Sequence, residues 1–251
     1  MTERGSPNVN ESISTTERFV SRLEALQSDA ERDKLQRYFK TGNGEYGAGN
    51  TFLGVRMGEV FALAKTFIAM PLSEIERLLR SPLHEARAGG LSVMDKQARL
   101  GKTPDGRRAD LFDLYVRRHD RINNWDLVDL AAPYVFGHYL FDHEQPRDIL
   151  YRLVHSSSIW ERRTAIVSTA YFIRQADLDD TFRIAELLNG DEEDLIHKAT
   201  GGWLRAAGAK VRPRLLAFFD RHAATMPRFM LRYAIEHLDA DPRRHYLGLK
   251  R

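Results

Sequence analysis

Four helix-forming stretches recur along the chain at nearly constant separation. LHEARAGGL begins at Leu83, NNWDLVDLA at Asn123, IWERRTAIV at Ile159 and LIHKATGGW at Leu195, so successive copies lie 40, 36 and 36 residues apart. A weaker fifth copy, MPRFMLRYAI, follows at Met226. A period of this length with two helices per unit is a strong constraint. One such unit cannot bury its own apolar face, so neighbouring units must stack to make a core. Chance similarity among short helices is the competing account, because the identities are few. The remaining segments favour stacking. VFALAKTFIAM, LSEIERLLRS, DLFDLYVRRH, WDLVDLAAPYVFGHYLF, DTFRIAELLN and VRPRLLAFFDRHA space their apolar residues at helical intervals, and alternating strand patterns are nearly absent. Breakers such as GNGEYGAGN, MPLS, GKTPDGR, HEQPRD and NGDEED fall between them.

The expected fold is therefore all-α, a superhelical solenoid of stacked antiparallel helix pairs of HEAT-like or armadillo-like kind, with the second helix of each pair lining a concave face. At 251 residues and 43% hydrophobic composition the chain can bury a substantial core. Residues 13–251 are expected to form one domain behind a polar, disordered stretch at 1–12. No apolar run approaches bilayer-spanning length, and MTERGSPNVNESIST has no signal-peptide core, so a cytoplasmic protein without a membrane partner is expected. The absence of cysteine excludes disulfides, thiolate nucleophiles and thiolate metal sites. His138 and His143 lack helical ligand spacing and straddle a helix end, so no metal and no cofactor is expected, and the protein is read as a monomer.

Net charge is only +3, but its distribution is uneven. Residues 201–251 hold eleven Lys and Arg against four Asp and Glu, a net +7, which leaves −4 for the remainder. This segment includes Lys210, Arg212, Arg214, Arg228 and Arg232. A second basic run contains Lys96, Arg99, Lys102, Arg107 and Arg108, interspersed with aspartates. Such runs are usually solvated faces. Two of them in an otherwise acidic protein point to an anionic partner, most economically a phosphate backbone, which gives the concave face its expected basic character.

The stretch INNWDLVD raises the sharpest chemical question. Asn124 suits a helix cap, Asp126 the positive end of the helix dipole, and Trp125 an inward-packed position. Asp129 is harder to place, because it interrupts Leu127, Val128, Leu130, Ala131 and Ala132. Trp160 and Arg163 stand at the same offset in the next repeat, and Lys198, Trp203 and Arg205 in the one after. A carboxylate, cations and aromatic faces would then converge on one surface. Each also has a plain structural role open to it: Arg163 and Asp129 as an inter-repeat ion pair, the tryptophans as wedges between helices.

Taken together, FLGVR at 52–56, NWDLVD at 124–129, IWERR at 159–163, HKATG at 197–201 and LR at 204–205 resemble the AlkD-type DNA alkylation repair glycosylase family. The similarity runs from about Tyr38 to about Leu247. It implies a HEAT-like superhelix that holds duplex DNA by its backbone, at the nucleoid when bound, and excises cationic alkylated purines, chiefly N3-methyladenine and N7-methylguanine, without metal or cofactor. It further implies that Trp125, Asp129 and Arg163 surround the sugar of the lesion, with Tyr38 contacting DNA from the N-terminal helices. At one place the chain departs from the family. Relatives read KAxGW, whereas this chain reads Lys198-Ala199-Thr200-Gly201-Gly202-Trp203, so Gly202 stands where the tryptophan is expected. One helical step turns Trp203 by about 100°, so its ring takes over that wall only if the helix is locally bulged. The alternative function is a non-catalytic HEAT-like module binding DNA or protein, with Gly202 marking a lost active site.

Overall fold

The computed structural model describes residues 15–143 and 147–249; the stretch expected to be disordered, 1–12, lies outside them. Within the span 13–251 the described residues group into two compact units, one ending at Leu100 and the next beginning at Gly101. The break falls in the Gly-, Thr- and Pro-containing connection GKTP, where the helical pattern stops. Among the described residues both units are helical, and the only β-type pairing is an isolated bridge between Thr51 and Leu83. The fold class is all-α, as the periodicity requires.

The first unit comprises α1 (Thr16–Glu24), α2 (Asp29–Tyr38), α3 (Met57–Thr66), α4 (Leu72–Leu79) and α5 (His84–Arg99). The Thr15 and Ser28 hydroxyls cap α1 and α2 by accepting from backbone N–H groups of Arg18 and Glu31. Buried along most of its length, α5 packs against α1, α3 and α4. Its first turn also organises the loop before α3. The Glu85 carboxylate, fully buried, accepts from the N–H groups of Leu53, Gly54 and Val55 at 3.1, 2.9 and 3.2 Å. Gly54 has φ +88°, a left-handed conformation that glycine tolerates best. The FLGVR segment is thus held as a backbone cradle around one carboxylate.

The second unit comprises α6 (Asp105–Arg117), α7 (Trp125–Ala131), α8 (His138–Asp142), α9 (Asp148–Val154), α10 (Ile159–Arg174), α11 (Asp179–Leu187), α12 (Asp194–Lys210), α13 (Arg212–His222), α14 (Arg228–Ala234) and α15 (Ala240–Gly248). The sequence suggests one helix over WDLVDLAAPYVFGHYLF. The structure makes it α7 and α8 joined by a π-helical segment, Ala132–Gly137. Pro133 has no N–H to give to the four-residue ladder, and the wider turn absorbs its ring. The second helices of successive repeats form a row: α7 and the π-helical segment pack on α10, α10 on α12, and α12 on α14. α9 and α11 pack beside this row. Two glycines allow its closest approaches. A Cβ on Gly137 would stand 2.2 Å from the Ser168 carbonyl oxygen, and one on Gly201 would stand 2.5 Å from that of Met230. Under the row, Thr164 joins α10 to α6 through the Tyr115 hydroxyl at 3.0 Å, and meets His119 Nε2 at 2.8 Å.

Candidate functional site

Asn124 starts α7 by accepting the Trp125 N–H at 2.8 Å on its side-chain oxygen. From that start, Leu127, Val128, Ala131 and Ala132 turn into the core, each fully buried, while the Asp129 side chain retains 38% of its accessible surface. Asp129 therefore faces away from the apolar residues that surround it in sequence. What it faces is α10. Arg163 Nε donates to Asp129 Oδ1 at 2.9 Å and Nη2 donates to Oδ2 at 2.7 Å, a bidentate pair. Its Nη1 donates to the Leu195 carbonyl at 2.7 Å, in the first turn of α12. One guanidinium, 7% exposed, thus ties three consecutive repeats together at the carboxylate.

The pair lies at one side of a recess of about 450 Å³, completed along α12 by Lys198, Gly202, Trp203 and Arg205 and, from the turn after α14, by His237. Burial pushes the Asp129 carboxyl above the usual carboxylate range; the hydrogen bonds and charge of Arg163 pull it back in part, and the nearby Asp126 pushes it further up. Each carboxylate oxygen accepts one bond from Arg163 and retains capacity to accept another. The arrangement offers an oriented, partly desolvated anion that can stabilise positive charge or take a proton from water.

Asp129, Arg163, Lys198, Trp203 and Arg205, from the recurring helices of three successive repeats, line the one recess. Trp125 and Trp160 are not among the lining residues; both are half-buried and stand one turn N-terminal to Asp129 and Arg163 on the same helix faces. Trp203 lines the recess although α12 runs as an unbroken α-helix from Asp194 to Lys210, with no bulge. It approaches from the side, packed against the apolar cluster of α13 and α14. His237 was not expected, since a lone histidine in a turn carries no periodic signal.

The basic residues differ in how they are engaged. In the first unit Lys96 contacts Ser92 and the Phe61 ring, and Arg99 pairs with Asp95 at 3.3 Å. Tyr38, at the end of α2, is 64% exposed. In the second unit Arg108 holds the Thr103 carbonyl and Asp105, Arg107 is half-buried, Arg205 pairs with Glu236, Arg212 with Asp239 and Arg214 with Asp179. Lys198 sits over the Phe229 ring at 5.2 Å, and Lys210 is exposed at the end of α12. Among the described residues no helix is long and apolar enough to cross a membrane, and no group of three His, Asp or Glu is placed to hold a metal ion.

The family model described as DNA alkylation repair enzyme matches residues 19–238. Among solved structures, a chain described as a predicted DNA alkylation repair enzyme from Enterococcus faecalis is similar in fold, with a TM-score of 0.68 at 17% identity, covering 85% of this chain and 97% of that one. No curated protein matches.

Proposed function

The chain belongs to the DNA alkylation repair enzyme family, and from that membership together with the recess at Asp129 we propose that it is a DNA glycosylase, hydrolysing the N-glycosidic bond of cationic alkylated purines such as N3-methyladenine and N7-methylguanine in duplex DNA. The observation that carries this reading is a carboxylate gripped by a bidentate arginine yet left open to a recess. An alkylated purine with a formal positive charge leaves as a neutral base, taking the bonding electron pair, so it needs no proton from the enzyme. Positive charge develops on the deoxyribose as the bond lengthens. Asp129 stabilises that charge more than it stabilises the ground state, which is what lowers the barrier. Water then forms the new bond at C1′ and gives up a proton, for which a carboxylate with a raised pKa is a suitable acceptor.

Arg163 keeps the Asp129 oxygens in one orientation; with its donors turned to Asp129 and Leu195, it serves the site as a positioning group. The Trp203 indole offers an electron-rich face to the cationic base, an attraction on the order of 0.5 to 2 kcal/mol. Lys198 and Arg205 supply positive charge beside it for the phosphate backbone. Release of methylated purines from alkylated duplex, compared between wild type and Asp129→Asn, tests the reading. The substitution should lower the single-turnover rate by about a hundredfold or more, the scale seen when one preorganised electrostatic partner is removed, while duplex binding persists. Binding without any excision by the wild type would instead favour a non-catalytic DNA-binding module, the reading to which the absent side chain at Gly202 lends weight.

A further inference from the structure

Two helices of the second unit, α9 and α11, take no part in the recess and leave a groove between them. α9 presents Asp148, Tyr151, Arg152 and, at its C-cap, His155, whose helical spacing puts them on one face. α11 presents Arg183 and Leu187, one turn apart. These six side chains line about 710 Å³, and none of them lines the recess at Asp129. The groove is organised by the protein itself. The Tyr151 hydroxyl donates to the Asp180 carboxylate, Arg147 donates to Asp180 and Asp177, and the Arg183 guanidinium lies over the Tyr151 ring at 5.0 Å. A ring already held through its hydroxyl and one face loses little freedom when a ligand settles beside it.

Charge sets this groove apart. In the same unit Arg147, Arg162 and Arg214 each hold a carboxylate of the chain. Arg152, His155 and Arg183, all exposed, are in no ion pair among the described residues. Beside them Leu187 is 43% exposed. We propose that the groove docks an acidic peptide segment of a partner protein, its carboxylates on Arg152 and Arg183 and an apolar side chain against Tyr151 and Leu187. Charge complementarity selects the acidic partner. Tyrosine and arginine are also the side chains in which binding energy most often concentrates at protein interfaces. A nucleic-acid strand suits the same cations less well. Its backbone carries a phosphate at every nucleotide and needs a basic track to follow, whereas Asp148 lies in the lining here and Glu186 stands exposed next to Leu187. A short acidic segment needs only the two guanidiniums. A partner held in this groove uses no residue of the Asp129 site, so docking and base excision are separable.

The full chain, immobilised, selects from a random peptide library displayed on phage, and the enriched peptide is resynthesised with a fluorescent label for titration. Enriched sequences should combine Asp or Glu with an aromatic or branched aliphatic residue. Arg152→Ala and Arg183→Ala should each weaken the labelled peptide about tenfold or more, the effect of removing a principal interface contact, and Arg183→Glu should abolish measurable binding. Arg221→Ala, an exposed arginine outside the groove, should leave the affinity unchanged. Both groove arginines are exposed, so their variants should melt with the wild type, which separates lost docking from lost folding. A selection that yields no acidic class overturns the proposal. So does an affinity that the Arg152 and Arg183 substitutions leave unchanged, or a scrambled peptide that binds equally well. Displacement of the peptide by oligothymidylate would make the groove a single-strand site instead and would equally overturn it.

Discussion

Asp129 answers to two opposing influences. Protein crowds it on most sides, which disfavours its charge, while Arg163 donates to both of its oxygens, which favours it; burial has the larger effect and the carboxyl stays above its ordinary range. For such a group the folded state binds the proton more tightly than the unfolded chain does. Its own contribution to stability therefore falls as pH rises from the ordinary aspartate range through the raised value. Activity has the opposite sense, because the proposed chemistry needs the anion. The acid limb of the pH–rate profile should lie above the ordinary aspartate value of about 3.9. In Arg163→Ala, which removes the two influences that lower the pKa, the limb should move to still higher pH; a limb that stays in place or moves down would disconnect Asp129 from the rate. The neighbouring Arg162 is spent elsewhere, on Asp191 at 2.7 Å and on the Ser156 and Ser157 carbonyls, so only one of two adjacent arginines reaches the carboxylate.

Among the helices, the site depends on how closely α7, α10 and α12 run. Arg163 spans all three, and its reach leaves little tolerance for a shift of one helix against another. Gly137 in the π-helical segment is where that spacing is most exposed to change, because the atom a Cβ would strike is a backbone carbonyl on α10. Gly137→Ala gains some helix propensity, about 1 kcal/mol. Against this stands an overpacking cost of about 1–3 kcal/mol, at the upper end where backbone must move. Thermal unfolding should show a net loss of stability, with a melting temperature lower by a few degrees. An unchanged or higher melting temperature would mean that the approach of the π-helical segment to α10 is slack. The π-helical segment itself was not foreseen from WDLVDLAAPYVFGHYLF. Apolar spacing there fits an uninterrupted helix, and the sequence does not say whether Pro133 will kink, stop or widen it.

At the scale of the molecule, charge is the property most open to measurement. The +7 carried by residues 201–251 overstates what is available to DNA, because Arg205, Arg212 and Arg214 each have a carboxylate partner. The Arg212 and Arg214 pairs are exposed, of the kind worth about 0–1 kcal/mol, so phosphates can compete for these cations, while Arg205 is half-buried. Duplex affinity should fall steeply between 50 and 200 mM salt, with log K linear in log salt and a slope of about −0.9 for each phosphate neutralised. Replacing one contributing cation, with Lys210→Ala and Lys198→Ala as first trials, should make the slope shallower by about one unit; salt-independent binding would remove the DNA-backbone reading. Periodicity alone determined the all-α class and the two-helix repeat, and it put Asp129 and Arg163 near the starts of helices in adjacent units, because burial of one face imposes a spacing that can be counted along the chain. The same count could not determine which side chains meet. Trp125 and Trp160 are absent from the lining of the recess, Trp203 lines it from an unbulged helix, and His237 arrives from a turn with no period at all. Those outcomes depend on side-chain direction and on the distance between packed helices, and only the tertiary structure sets these.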